Sequence, residues 1–378
     1  MIGRLEIDLD ALRENARALR ALVEPAGAAF VVKSNAYGHG LVDVARAVAP
    51  LTDRLCVYGI EEALELRAAG IRNHLLVMGP VESAHLHEAI QRNIEIALWD
   101  NGAYVRAVVY AARAADKRAR IHAKINTGVA RLGLDPEQAR TTIPAYLAEP
   151  ELQLDGVFSH LAAAEELDSP FTDTQLARFQ RMYSGIEPAL KAAGVRPQRH
   201  VAASAAAMLW PQTRLDFARI GIALYGLWPS PQTRTAMNAH ALQLRPALRY
   251  TTQLVAVREV QAGTPIGYGA SYHAPRDTRI GVIPLGYADG IPRALSNTGS
   301  FLVNGVRAPI AGRICMNMAM LDLAGVNGAR PGTEVTLIGA DGAECISADD
   351  WATWAGTINY EIVARLPGHL PRAFRSTD

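Results

Sequence analysis

A chain of 378 residues exceeds the size at which one hydrophobic core keeps growing, so two domains are expected, each able to bury a sizeable core. Lys and Arg total 38 against 37 Asp and Glu, a net charge of +1 with no basic block. That balance excludes electrostatic capture of nucleic acid or of an acidic membrane and favours a small, nearly neutral substrate or partner. The cysteines, Cys56, Cys315 and Cys345, are widely spaced and form no CxxC pair, so neither a disulfide framework nor a zinc site is signalled; they read as buried thiols in a reducing compartment.

The start, Met1-Ile2-Gly3-Arg4-Leu5-Glu6-Ile7-Asp8, carries charges where a secretory signal needs its apolar region. No stretch approaches the roughly 18 apolar residues of a spanning helix, so a cytoplasmic location is expected. Leu5–Asp8 reads as an extra strand, and Asp10 is placed to cap the helix after it. From residue 28 to about 226, short β-rich runs then alternate with amphipathic segments. The strand candidates are Ala29–Lys33, Leu55–Gly59, Leu75–Gly79, Ile94–Leu98, Arg120–Ile125, Gln153–Phe158, His200–Ala203 and Phe217–Gly221. Helical patterns such as Glu61–Ala69, Ser83–Gln91, Ala103–Ala115 and Thr174–Ala193 lie between them, with Gly70 and Gly194 as stops. This is the arithmetic of an α/β chain built as a (β/α)8 TIM barrel, with a doubly wound sheet as the alternative. The Pro-punctuated Trp228-Pro229-Ser230-Pro231-Gln232 then divides the chain into domains 1–230 and 231–378. Beyond it Arg249–Val260, Thr278–Pro284, Ser300–Val306 and Thr333–Ile338 are short, β-branched and separated by turns, which predicts a C-terminal, mostly antiparallel β domain.

The chemistry concentrates at strand ends. In Phe30-Val31-Val32-Lys33-Ser34-Asn35-Ala36-Tyr37-Gly38-His39-Gly40 an apolar run ends on a lysine and breaks at once into a polar, Gly-rich turn. A lysine leaving a strand is ordinarily solvated. Delivered into a binding mouth, its ammonium loses hydration, which lowers its pKa and makes it competent to form a Schiff base. Barrel ligands sit at the C-terminal strand ends, and the loops after strands seven and eight commonly hold phosphate. There the strand count places Lys33, Lys124 with Arg131 in the loop beyond it, His160, His200 with Ser204, and Arg219-Ile220-Gly221-Ile222. Taken singly each has a structural reading: Arg131 or Arg219 in a surface pair, His160 in the core, Ser204 as a helix cap. Their convergence on one barrel face favours a site.

These motifs resemble bacterial alanine racemases of the pyridoxal-phosphate-dependent fold type III. The likeness runs from Glu6-Ile7-Asp8-Leu9 to Thr357-Ile358-Asn359-Tyr360-Glu361. It implies that Lys33 carries pyridoxal 5′-phosphate, that Tyr37, Ser204, Gly221, Ile222 and Tyr360 cradle its phosphate, and that Arg219 faces its ring nitrogen with His200 beside it. His160 joins the cofactor-side residues, and Arg131 lies near the phenolic oxygen and the substrate carboxylate. In Pro265-Ile266-Gly267-Tyr268-Gly269-Ala270-Ser271-Tyr272, Tyr268 resembles the second catalytic base, flanked by glycines that permit a close approach. Tyr287 resembles a tyrosine of the substrate entrance, and Met316, in Gly312-Arg313-Ile314-Cys315-Met316, a contact of the substrate carboxylate. The implied reaction is the interconversion of L- and D-alanine by two bases, Lys33 and Tyr268, supplying D-alanine for peptidoglycan. The implied assembly is a homodimer whose site joins one barrel to the partner's β domain. A free tyrosine titrates near 10, so Tyr268 must be lowered to act as a base; charges on His200 and Arg219 are the candidate cause.

The chain also departs from the family pattern. Asn126 replaces an Asp in Lys124-Ile125-Asn126-Thr127-Gly128, Ala203 replaces the Asn before the phosphate serine, Asn317 replaces the Asp after Met316, and Ser159-His160-Leu161-Ala162 alters a strand end. Lys124 matches a lysine carbamylated in many members; an ordinary lysine paired with an acid is its alternative. A broader racemase acting on serine or basic amino acids is the rival reading. A decarboxylase of similar architecture would need no second base at Tyr268, and a non-catalytic cofactor carrier would lack the C-terminal domain.

Overall fold

Strands that are apolar along their whole length are buried on both faces, which is the setting of a parallel sheet covered by helices. In the computed structural model, which describes residues 3–100, 102–238, 240 and 242–377, eight strands, several of them of this kind, pair in parallel within a unit made of residues 11–36 and 41–245. Met1 and Ile2 of the charged start lie outside the described residues. The barrel strands are Gly27–Val31, Arg54–Val57, His74–Val77, Ile94–Leu98, Ala119–Lys124, Leu152–Phe158, Gln198–His200 and Phe217–Ile220. The first seven each pair with their neighbours in sequence, and the eighth pairs with the first. Phe30, Leu55, Leu75 and Ile94 stand side by side in register as a band of buried apolar groups. Between the seventh and eighth strands one parallel bridge, Ala203 to Arg219, and the Arg219 N–H donating to the Ala202 carbonyl at 3.0 Å draw the barrel nearly closed.

The helices Ser83–Gln91 and Ala103–Ala115 match the sequence reading, and Gly70 and Gly194 stop their helices with φ of 84° and 66°. Three local expectations are corrected. Asp10 is not a cap, because the helix Leu9–Val23 already contains it in its first turn; its carboxylate instead accepts from Thr377. The first barrel strand ends at Val31, two residues before Lys33, although the Val32 N–H still donates to the Cys56 carbonyl at 2.8 Å. The seventh ends at His200, not Ala203.

The second unit comprises 3–10, 37–40 and 246–377. Its larger sheet runs in the order Val306–Pro309, Ser300–Val303, Glu334–Asp341, Leu248–Gln253, Arg4–Asp8, Arg372–Arg375, with Glu344–Ile346 paired to Glu334–Asp341. Only the Arg4–Asp8 pairing with Arg372–Arg375 is parallel in it. Ala256–Val260, Thr278–Ile283 and Ala319–Asp322 form a separate antiparallel sheet. The expected strand Arg249–Val260 is therefore two strands. The chain changes sheets at Leu254, whose N–H donates to Thr333, and Val255, whose N–H donates to Val282. Strand alternation continues through such a switch, so period alone does not reveal it. Ser300–Val303 and Val306–Pro309 meet at Asn304-Gly305, both at positive φ, the turn that suits strand twist. Two helices went unforeseen, Ala348–Ala355 and Asn359–Ala364; the first is announced by Ser347, whose Oγ accepts from the Asp350 N–H at 3.0 Å. Cys345 is exposed and Cys315 partly exposed, against expectation: Ile346 takes the buried face of its strand, which turns its neighbour outward. No helix of the described residues is long and apolar enough to cross a membrane.

Trp351 anchors this unit: it is fully buried, packs near Phe301 and Tyr250, and donates from Nε1 to the Leu337 carbonyl at 3.0 Å. Trp351→Ala is expected to cost about 3–5 kcal/mol in urea unfolding, cavity and lost hydrogen bond together. A loss below 1 kcal/mol would mean that the unit does not depend on this anchor.

Candidate active site

Beyond Val32 the backbone turns left-handed at four successive non-glycine residues, Ser34, Asn35, Ala36 and Tyr37, with φ between 51° and 55°, followed by Gly38 at 80°. Each such residue costs about 1–2 kcal/mol, so the turn persists only because its surroundings hold it. Asn35 supplies part of that hold: its Oδ1 accepts from the Leu41 N–H at 2.8 Å, and its own N–H donates to Glu62 at 3.2 Å. Lys33 stands at the head of this turn. Burial lowers its pKa first, then the positive charges of Arg131 and Arg219, while Glu62 alone of the groups acting on it pulls upward.

Lys124, at the end of the fifth barrel strand, is buried, and burial together with Arg131, Arg219 and Lys33 pushes it down to about 8. Burial and the same four cations push His160 down to about 3, so its imidazole is neutral at physiological pH. The loop that carries Arg131 is organised by the substituted Asn126, whose Oδ1 accepts from the N–H groups of Gly128 and Ala130 at 3.2 and 3.0 Å. An acceptor is what the turn requires, and an amide oxygen supplies it as a carboxylate would. Sequence reasoning missed Gln175 and Arg178, on the helix Phe171–Ala192, which tie this loop down. Gln175 donates to Thr127 Oγ1 and the His160 carbonyl and accepts from the Ala162 N–H, and Arg178 donates to the Thr127 carbonyl.

Arg219 is buried without an acid. Its Nη1 donates to His200 Nδ1 at 2.8 Å and to the His200 carbonyl at 2.9 Å, and its Nη2 to the Ser159 carbonyl at 2.8 Å. No hydrogen bond from its Nε is found among the described residues, and burial lowers its pKa to about 10. His200 is fully buried, with both ring nitrogens engaged by protein and its ring stacked on Phe158 and Phe217. Burial and the Arg219 charge hold it well below its ordinary pKa. It is neutral, which removes it from the cations expected to lower a tyrosine. Ser204, at the start of the helix Ser204–Leu209, accepts through Oγ from the Gly221 N–H at 2.9 Å, which leaves its own hydroxyl proton free to donate; Ile222 opens the next turn.

The barrel unit thus holds Lys33, Lys124, Arg131, His160, His200, Ser204, Arg219, Gly221 and Ile222, and the other unit holds Tyr37, Tyr268, Tyr287, Met316 and Tyr360. In the latter the Tyr37 and Tyr360 rings lie 6.4 Å apart. The Tyr287 and Ala288 N–H groups donate to the Cys315 and Met316 carbonyls at 3.0 and 2.9 Å, an approach that only a glycine at 286 allows, since a Cβ there would overlap both carbonyls. Cβ atoms at Gly267 and Gly269 would likewise crowd Arg313, so the Tyr268 turn lies on the same loop. Tyr268, Tyr287 and Met316 are 69, 42 and 57% exposed, a cluster of large apolar side chains left in water.

Asn317 donates from Nδ2 to Asp289 Oδ2 at 3.3 Å, and the same carboxylate takes the Gly286 N–H at 2.9 Å. Asn317→Asp would set two carboxylates against each other and is expected to destabilise the protein by about 1–2 kcal/mol at pH 7.5. Repulsion needs both groups ionised, so the deficit should shrink as pH falls through the carboxylate range. A deficit in urea unfolding that is equal at pH 7.5 and pH 4.5 would contradict this contact.

Comparison with known proteins accords with this geometry. The family models described as alanine racemase, N-terminal domain, and alanine racemase, C-terminal domain, match residues 7–229 and 247–374. An alanine racemase of Desulforamulus reducens is 38% identical over 375 residues, covering 98% of each chain. The crystal structure of alanine racemase from D-cycloserine-producing Streptomyces lavendulae superposes with a TM-score of 0.92 at 39% identity, covering 100% of this chain and 97% of that one. That of alanine racemase from Bacillus anthracis with bound L-Ala-P gives 0.90 at 33%, covering 100% and 95%.

Proposed function

The chain belongs to the alanine racemase family and is an isomerase that interconverts L- and D-alanine, and we propose that it does so on pyridoxal 5′-phosphate held by Lys33, with Lys33 and Tyr268 as the two bases. The observation that carries this reading is the cluster of Lys33, Lys124, Arg131 and Arg219, in which the two amines are lowered by burial and by one another's neighbours. Such a cluster calls for an anion, and a lysine of lowered pKa within it suits one bearing an aldehyde. Bound there, the cofactor would withdraw electrons from the substrate Cα and make its proton acidic.

The protein's own residues then have distinct tasks. Racemisation removes the Cα proton from one face and returns one to the other, so two acid/base groups on opposite faces are required. The Lys33 amine, already biased toward its neutral form, serves one face and the Tyr268 phenol the other. Arg219 presents a donor that does not give up its proton, so a cofactor ring nitrogen facing it would stay unprotonated and the ring would be a weaker electron sink, which would restrain side reactions. Ser204 Oγ–H, the Ile222 N–H and the hydroxyls of Tyr37 and Tyr360 would hold the phosphate, with Gly221 acting through Ser204. Arg131 and Met316 would meet the substrate carboxylate and Tyr287 the entrance. Residues 1–230 supply most of the cofactor domain, although 3–10 and 37–40 belong to the β unit and the barrel unit runs on to 245, and 231–378 supply most of the domain that completes the site of a second copy. The exposure of Tyr268, Tyr287 and Met316 supports that cover.

Mixed dimers test the shared site. Lys33→Ala and Tyr268→Phe homodimers should each be severely impaired. In a mixed dimer one site carries both substitutions and the other neither, so random pairing should restore about a quarter of wild-type activity per site. No recovery despite demonstrated subunit exchange would place both bases on one chain.

Lys124 fits carbamylation, since a lysine lowered to about 8 presents a far larger neutral fraction near neutral pH than an ordinary lysine does. The ammonium gives up one proton to become the amine, which adds to CO2 and releases a second, so that a cation becomes an anion beside Arg131. At fixed dissolved CO2 the carbamate should grow as pH rises through about 8, because the neutral amine does. Labelled CO2 should give a carbamate carbon resonance that Lys124→Ala abolishes; active, fully loaded enzyme without it would favour the ordinary lysine.

A further inference from the structure

A hydrogen-bonded chain runs through the barrel from Arg219 to a carboxylate that neither the motifs nor the proposed reaction uses. Glu95, His122 and His200 are fully buried on the fourth, fifth and seventh barrel strands, where apolar residues would ordinarily fill the interior. Glu95 Oε2 accepts from Arg54 Nε at 2.9 Å and lies 3.1 Å from His122 Nε2; Oε1 accepts from Arg54 Nη2 at 3.2 Å and forms an ion pair with Arg120 Nη2 at 2.9 Å, and His74 Nδ1 lies 2.9 Å away. His122 Nδ1 stands 2.9 Å from His200 Nε2, and His200 Nδ1 2.8 Å from Arg219 Nη1.

The site is built, not incidental. The pairing of the fifth and sixth strands shifts register between Ile121 and His122, opposite Gly156, where any Cβ would overlap the His122 ring. His200 is held between the rings of Phe158 and Phe217 at centroid distances of 4.8 and 4.1 Å, and the Arg54 guanidinium lies 4.7 Å over Phe217. Packing apolar residues here would often be as stable or more so, which points to a role other than stability.

Donor and acceptor order follows from the ends of the chain. Burial alone would raise the Glu95 carboxyl, but hydrogen bonds from His122 and His74 and the charge of Arg54 hold it well below the usual carboxylate range. An ionised carboxylate only accepts, so His122 carries its proton on Nε2 and offers the Nδ1 lone pair. His200 must then donate from Nε2, which leaves its Nδ1 lone pair facing a guanidinium that only donates. One arrangement satisfies every member, with both imidazoles neutral.

We propose that Glu95 and His122 are positioning residues for Arg219: through His200 they fix the tautomers that orient the guanidinium plane and polarise it as a pure donor. The effect on catalysis rests on the assignment of Arg219 to the cofactor ring nitrogen; the tautomer order does not. Conservative replacement separates this role from packing. Gln at 122 can donate to Glu95 and accept from His200, whereas Leu fills similar space and does neither.

The test uses full-length protein labelled with 15N at histidine and arginine. In ligand-free wild type, NMR should show His122 and His200 neutral and protonated on Nε2, and His122→Leu should shift the His200 and Arg219 side-chain resonances. In cofactor-loaded enzyme His122→Leu is expected to lower kcat about 10–100-fold with KM for alanine changed less than about twofold, and His122→Gln to restore kcat to within about threefold of wild type. An Nδ1–H or doubly protonated His122 or His200 in wild type overturns the proposal, as does a folded, loaded His122→Leu enzyme with wild-type kcat, or a His122→Gln enzyme as impaired as His122→Leu. If the tautomers stand but wild type does not racemise alanine, the proposed function falls and the relay remains; if wild type racemises alanine and the tautomers differ, only the relay falls.

Discussion

Gathering Lys33, Lys124, Arg131 and Arg219 at the C-terminal ends of a parallel barrel is the constraint from which the remaining chemistry follows. Lowering Lys124 from an ordinary 10.5 to about 8 corresponds to about 3 kcal/mol against its charged form. The fold bears that cost because strand ends and loops are fixed by unrelated contacts: the Asn126 turn, the Gln175 clamp, and the left-handed run after Val32. A cluster of this kind is most stable when it holds negative charge. An anion that binds there therefore restores stability, which links ligand binding to the folded state.

Arg219 shows why the interior behind the mouth is polar. A guanidinium cannot give up its proton to escape burial, as Lys124 can in part, so it needs acceptors on the protein side. Three carbonyls and the His200 lone pair supply them without a carboxylate in direct contact. A carboxylate bonded directly to Arg219 would form a compact ion pair and spend the donor; placing Glu95 two imidazoles away keeps the charge complementary and the guanidinium available. The neutrality of His160 has the same origin: four cations and burial leave it no reason to protonate.

The barrel was legible because its strands are continuous apolar runs spaced by helices with clear glycine stops, and strand counting alone brought Lys33, Lys124, His160 and Arg219 to the same end. Their roles were legible only by resemblance. The strand break at Leu254 was hidden because alternation persists when a chain passes from one sheet to another. Glu95 and His122 were missed for a simpler reason: Glu95 is a single polar residue in the otherwise apolar Ile94–Leu98, and His122 alternates with Arg120 and Lys124 in Ala119–Lys124, so periodicity marks neither as interior. A buried Glu and a buried His on adjacent strands, with Gly156 opposite, form a pattern only once the strands are paired. Asp10 failed as a cap because the helix begins one residue earlier, a margin that sequence does not resolve.

The departures from the family pattern also become intelligible when read with their neighbours. Asn126 replaces an acid where its Oδ1 accepts from two N–H groups of the loop and its Nδ2 donates to Asp135 Oδ1 at 3.0 Å, a bond that an acid there would turn into a repulsion. Asn317 likewise uses its amide N–H2, directed at an Asp289 carboxylate that also holds the Gly286 N–H and lies 3.2 Å from His369 Nε2. Those contacts set the segments bearing Tyr287 and Met316 against each other, so a substitution that looks like a lost charge near the substrate acts first on loop geometry. Residue 317 therefore bears first on how firmly the two loops are joined, and its local charge enters only after that.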